Sequence, residues 1–202
     1  MRPNSKYPKG VAKQAELVDV ALQVVAEHGY NGATIGEVAE AANLSRAGLL
    51  HHFHKKEELF AEVLRRRDDL VTDAWVQQRE SPSVDPAEFI ANLIRENAKV
   101  PGLVQLFARL SAEATDPANP AHEFFADRYQ QNKAASSALL ADMQSSGRLA
   151  ATLDPDKFAV ILAALQDGLQ IRWLYDPSID MAELIGDFFE AIAIQPNQGG
   201  RD

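Results

Sequence analysis

Apolar residues recur along this chain every three or four positions, the period of a helix that buries one face. Val11, Ala15, Val18, Ala21, Leu22 and Val25 mark the first such run, over residues 8–28, with Gly29 as its C-terminal stop. Thr34 then precedes Ile35, Val38, Ala39 and Ala42, and Glu37 follows it at the spacing by which a hydroxyl and a carboxylate cap a helix start reciprocally. This predicts a second helix of about two turns. Asn43 tolerates a left-handed backbone, Leu44 is apolar, and Ser45 caps a third helix over 46–52, across a turn of three residues.

The helical period continues to the end of the chain. Leu59, Phe60, Val63, Leu64, Leu70, Val71 and Trp75 lie along one side of a long helix over 56–79, and ESPSVD at 80–85 reads as a linker. Asp85-Pro86 opens a fifth helix that stops near Lys99. Pro101-Gly102 breaks the pattern before the stripe Leu103, Leu106, Phe107 and Leu110 of a sixth helix, which ends at the loop 115–120. A seventh helix runs to about Ser146, with Gly147 as its stop. Asp154-Pro155 opens an eighth, bearing Phe158, Ile161, Leu162, Leu165, Leu169 and Trp173, and a ninth spans roughly 180–194, leaving a disordered tail. Neither strand-like alternation nor an internal repeat is present, so the fold class is all-α with about nine helices.

Composition narrows the class. The 202 residues hold no cysteine, which excludes disulfides, thiolate metal sites and cysteine nucleophiles. No apolar run is long enough for a membrane span or a secretory signal, so a soluble, cytoplasmic protein is expected. The formal charge of −9 conceals an asymmetry: residues 1–67 carry ten Lys/Arg against eight Asp/Glu, whereas the remaining 135 carry ten against 21. Arg2, Lys6, Lys9 and Lys13, with Lys55, Lys56, Arg65, Arg66 and Arg67, could meet phosphates or be ordinary solvated charge.

Two short helices joined by a tight turn, the second flanked by a capping hydroxyl and basic residues, can place a helix in the major groove, although the same spacing also serves plain helix packing. The run TIGEVAEAANLSRAGLLHHFHKKEELFAEVL, at 34–64, resembles the DNA-binding signature of the tetracycline-repressor (TetR) family of bacterial regulators. The Leu50-His51-His52-Phe53 cluster, the Lys56-Glu57-Glu58-Leu59 continuation and the lead-in Gly29-Tyr30 to Thr34 carry that resemblance, which covers about 12–64. Two positions depart from the family pattern. Asn43 stands where glycine is common in the turn, and Leu50 replaces a tyrosine whose hydroxyl can reach a phosphate, leaving only van der Waals contact.

The resemblance implies a DNA-binding domain at 1–55 and an effector-binding and dimerisation domain at 56–202, linked by the helix over 56–79. It implies a DNA-contacting set of Thr34, Ser45, Arg46, Ala47, Gly48, Leu50, His51, His52 and Lys56. Within it Thr34, Ser45, His52 and Lys56 would hold phosphates, while Arg46, Ala47 and Gly48 would face the bases, Arg46 reading a guanine. It further implies a homodimer through the last two helices and a small-molecule pocket. Gln166, Gln170 and Trp173 share a helix face and, with Leu103, Phe107 and Tyr129, suit such a pocket, although core or interface packing would place them equally well. A single Arg109 or Arg172 could pair a carboxylate of the effector.

The function expected is a ligand-responsive repressor released from a palindromic operator in double-stranded DNA. The alternatives are a helical ligand-binding or interaction module that never engages DNA and, last, a helical enzyme. No nucleophile elbow or phosphate-cradling glycine loop is present, Asp154, Asp156 and Asp167 read as helix-start or surface carboxylates, and no cofactor is implied. His51, His52 and His54 lack a further ligand at metal-site spacing, so no metal is expected.

Overall fold

The computed structural model describes residues 8–79 and 85–194, with side chains described for 10–70, 85 and 87–194. In chain order the helices are α1 (Pro8–Gly32), α2 (Ile35–Ala41), α3 (Arg46–His52), α4 (Lys56–Arg79), α5 (Pro86–Ala98), α6 (Pro101–Glu113), α7 (His122–Ser145), α8 (Pro155–Tyr175) and α9 (Met181–Ile192). Among the described residues no strand forms, and no helix is long and apolar enough to cross a membrane. The expected tail, residues 80–84 of the expected linker, Arg2 and Lys6, and the side chains of Lys9, Val71 and Trp75 lie outside what is described.

Contacts divide the chain into two compact units, Met1–Pro82 with Asn97–Ala126, and Ser83–Glu96 with Asp127–Asp202. This division does not follow the boundary at 55/56 expected for the two functions, because α4 and α6 belong to the same unit as the helix-turn-helix.

In the first unit, Leu17, Val25, Leu49, Leu59, Phe60, Leu64, Leu106 and Leu110 are fully buried in one apolar cluster. Burial of about 25 cal/mol per Å² of apolar surface is the main force holding these helices together. At Gly29 the chain does leave helical geometry, with φ 68° and ψ 175°, but a final turn continues to Gly32. That turn buries Tyr30 against Phe60, ring centroids 5.9 Å apart. α2 begins with the expected reciprocal cap: the Glu37 amide donates to Thr34 Oγ1 at 3.2 Å and the Thr34 amide donates to Glu37 Oε2 at 2.9 Å. Asn43 adopts the left-handed backbone, φ 55°. The turn from Ala41 to Arg46 is one residue longer than expected, because Ala42 has already left the helix.

The expected interruption between α5 and α6 falls at residues 99–100, and Gly102 lies past it as the second residue of α6, which starts at Pro101. It is buried where α6 meets α1: a Cβ there would lie 2.3 Å from the Val25 carbonyl oxygen and 2.9 Å from Gly29 Cα. The Pro-Gly pair is thus a helix start and a close approach of two backbones.

In the second unit, Asp85, Asp154 and Asp180 cap α5, α8 and α9 with their carboxylates. Gln144 Nε2 donates to the carbonyls of Ala150, at 2.7 Å, and Leu153, at 2.6 Å, tying down the turn after α7. The Ile194 amide donates to the Arg148 carbonyl at 2.9 Å and holds the end of α9 to that turn. Leu140, Leu149, Leu162, Ile185 and Phe189 are buried, whereas Val160, Ile161, Ile171 and Tyr175 on α8 and Leu184 on α9 stand exposed.

Candidate nucleic-acid interface and effector-binding residues

α3 is short, and its orientation is fixed at three points. Leu49 points into the core with no exposure, Ser45 Oγ accepts from the Gly48 amide at 3.0 Å, and the His52 carbonyl accepts from Gln14 Nε2 on α1 at 2.9 Å. Burying Leu49 turns the opposite face outward, so Arg46, Ala47, Leu50 and His51 are exposed together. Gly48 and His52 are half-buried, and a side chain on Gly48 would meet Ser45 and Leu44, so this residue lies off the outward face.

Around this face the hydroxyls have a double use. Thr34 Oγ1 and Ser45 Oγ each accept from a backbone amide, which leaves their own hydrogens able to donate to a phosphate. The Lys56 ammonium lies over the rings of Tyr30, 4.6 Å from the centroid, and Phe60, 5.0 Å, so two aromatic rings hold it at the start of α4. The Tyr30 phenol is itself pushed above its ordinary pKa, first by burial and then by the Glu113 carboxylate.

The arginines at 65–67 each lie beside a carboxylate. Arg65 pairs with Glu62 at 3.3 Å and lies over the Phe124 ring, Arg66 pairs with Asp19 at 2.9 Å, and Arg67 lies 4.0 Å from Asp68. Lys13 pairs with Glu16 at 2.7 Å, whereas Lys55 is exposed. Among the described residues Arg46, Lys55 and Lys56 enter no ion pair, while Arg109 donates to Asn31 Oδ1 at 2.9 Å and lies over the Tyr30 ring. Among the described residues no group of three or more His, Asp or Glu could hold a metal.

Of the residues expected to bind an effector, Leu103 and Phe107 are buried in the first unit, Phe107 beside Phe125 with ring centroids 5.7 Å apart. Tyr129, Gln166, Gln170 and Trp173 belong to the second unit. Tyr129 donates to Oδ2 of a residue read otherwise from sequence, Asp167, at 2.8 Å. Asp167 is thus not a surface or helix-start carboxylate but a half-buried one, and burial pushes its pKa up despite the Tyr129 hydrogen bond and the nearby Arg128 charge. Gln170 Nε2 donates to the Gln166 carbonyl at 3.4 Å, while its Oε1 is buried and accepts no hydrogen bond among the described residues. A separate open groove in this unit, about 760 Å³, is lined by α5, Met143, Gly147, Arg148 and α9 and includes none of the six expected residues.

Sequence reasoning passed over Gln14, gave Tyr30 no role beyond the lead-in to Thr34 and read Asp167 as a helix-start or surface carboxylate. Gln14 and Asp167 meet partners 38 positions away, and no local spacing marks either of them.

A capped helix-turn-helix with one face of its second helix outward defines the class as a helix-turn-helix protein. Residues 17–63 match the model of the family described as bacterial regulatory proteins, tetR family. The chain is 42% identical over 57 residues to the HTH-type transcriptional repressor AcnR of Corynebacterium efficiens, covering 28% of this chain and 30% of that protein. The match thus spans under a third of that relative's length. It is 25% identical over 189 residues to the HTH-type transcriptional regulator TtgR of Pseudomonas putida, covering 86% and 85%. A transcriptional regulator from Saccharomonospora viridis, solved in complex with choline, has the same fold, with TM-score 0.67 and 24% identity over 92% of this chain and 100% of that one. Residues 17–63 are thus similar to the DNA-binding region of the tetR family of bacterial regulators.

Proposed function

We propose that this protein is a homodimeric, cytoplasmic, ligand-responsive regulator of transcription and not an enzyme: a repressor that leaves a palindromic operator when a small molecule binds its C-terminal part. One observation carries the reading. The outward face of α3 presents Arg46, Ala47, Leu50 and His51 above buried Leu49, flanked by the hydroxyls of Thr34 and Ser45 and by Lys56. Hydroxyls and ammonium would hold phosphates and set the register; Arg46 would read a guanine, and Leu50 offers a surface for a thymine methyl.

Residues 1–55 serve DNA binding in this reading, and 56–202 serve effector binding and dimerisation, with α4 linking the two. Exposed Val160, Ile161, Ile171, Tyr175 and Leu184 support pairing of α8 and α9 with a second copy, since two recognition helices are needed for two half-sites. The Asp167 carboxylate and the unfilled acceptor Gln170 Oε1 favour an effector carrying hydrogen-bond donors or a positive charge. The choline held by the Saccharomonospora neighbour is a cation of that kind. An effector that prefers a different spacing of the recognition helices weakens DNA binding by the same factor that DNA weakens effector binding. The contact of α6 with α1 at Gly102 offers a route beside α4.

The test is selection from a randomised duplex library at two salt concentrations, with protein freed of ligand by unfolding and refolding. Enrichment of a near-palindrome, with affinity falling as salt rises, is the expected result. Retention of no duplex at low salt would refute the reading and leave a helical ligand-binding or interaction module.

A further inference from the structure

Arg46, the first residue of α3, does not project freely from the recognition face. A Cβ built on Gly36, the second residue of α2, would stand 2.5 Å from Arg46 Nη2, 2.8 Å from Nε and 3.0 Å from Cζ. Three atoms of one planar group meet the same point, so the guanidinium lies across the bare Cα of Gly36. Any side chain there would occupy its place. Among the described residues Arg46 forms neither a hydrogen bond nor an ion pair, so its donors are uncommitted while its position is confined.

We infer that Gly36 is a specificity-determining residue: it provides the notch on α2 in which the Arg46 guanidinium sits, and so sets the direction from which that fork enters the groove. The inference rests on the reading of α3 as a recognition helix. Recognition of guanine by arginine requires a planar fork presented edge-on to two acceptors. An arginine at an exposed helix start would otherwise sample many rotamers and lose that freedom on binding. A seat made by a missing side chain confines the plane without spending any of its donors. Gly36 itself offers the DNA no side chain, so its effect must act through Arg46.

Gly36→Ala is a clean perturbation. The added methyl overlaps only the flexible end of Arg46, and alanine favours a helix more than glycine does, so folding is not at risk. The full chain as wild type, Gly36→Ala, Arg46→Ala and the double variant would each be put through the duplex selection and a thermal melt. The wild type should enrich a site with one base pair whose preference Arg46→Ala abolishes, roughly 5- to 150-fold for a bidentate contact. Gly36→Ala should relax that same base pair by several-fold, keep the other positions and melt no lower than wild type, while the double variant should match Arg46→Ala. An unchanged preference in Gly36→Ala overturns the inference. So does a further loss in the double variant, which would place Gly36 against the DNA itself, or a lowered melting temperature, which would mean that the methyl meets more than Arg46. A wild type that enriches no site refutes the recognition-helix reading instead.

Discussion

Replacing Gly102 with alanine tests how closely α6 is seated on α1. Helix propensity alone favours the change by about 1 kcal/mol. The geometry argues the reverse. The new methyl carbon would stand 2.3 Å from the Val25 carbonyl oxygen and 2.9 Å from Gly29 Cα, where ordinary contact begins at 3.4 Å. Both obstacles are backbone, so neither can rotate away, and relief requires α6 to move off α1 by about 1 Å, a gap that forfeits up to half of each dispersion contact across it. Leu103, Leu106 and Leu110 of α6 share one cluster with Leu17, Val18 and Val25 of α1, so the loss is spread over the centre of the first unit. Overpacking typically costs about 1–3 kcal/mol, and a backbone obstacle places this case at the upper end. After the gain in propensity, a net loss of about 2 kcal/mol remains, or roughly 4–8 °C in Tm for a chain of this length. Far-ultraviolet circular dichroism during heating, repeated in urea because two compact units can unfold separately, measures it. A variant as stable as wild type, or more so, would refute the close approach and leave propensity as the controlling effect.

Four further outcomes are expected. Thr34→Ala should destabilise by about 1 kcal/mol through loss of the α2 cap, measured by denaturant titration. The Thr34 amide holds the Glu37 carboxyl below its ordinary value of 4.5, so the capping contribution is complete above that value and fades as acid protonates the folded carboxylate; undiminished exchange protection of the Thr34 amide through that titration would contradict it. Asp167 has the opposite sign, since burial raises its pKa: its ionisation costs stability as pH rises through the folded value, so Asp167→Asn should raise Tm at neutral pH and gain less in acid, with a uniform gain at both refuting the assignment. Ile171→Glu places a charge on the exposed apolar face of α8 and should convert a dimer to a monomer by light scattering at micromolar concentration, with little change in helicity; an unshifted mass would exclude that face from the interface.

What the sequence disclosed and what it hid divide along the distance over which each feature is decided. The Thr34–Glu37 cap, the left-handed Asn43, the aspartate caps of α5, α8 and α9 and the limits of α4 are settled within about four residues, and all are legible in the pattern. The outward face of α3 belongs to this group because burying Leu49 is enough to decide which neighbours face out. The residues expected to bind an effector do not. Asp167 is paired with Tyr129, 38 positions earlier, and Arg66 with Asp19, 47 positions away. Counting charges could not reveal either pairing.

The glycines make the same division within one residue type. Gly29 is glycine because φ of 68° combined with ψ of 175° suits no other residue well, and a break in the helical pattern announces that locally. Gly102 is glycine because the Val25 carbonyl of another helix occupies the space a Cβ needs, and Gly36 because a guanidinium from the following helix lies there. Neither leaves a trace in its own neighbourhood: Gly102 beside Pro101 reads as a break, and Gly36 reads as a weak point in a short helix. In both cases the local penalty of glycine signals a contact made elsewhere, the packing of α6 on α1 in one case and the seat of the Arg46 guanidinium in the other. A glycine that weakens its own helix without turning the chain is therefore where a distant partner should be sought first.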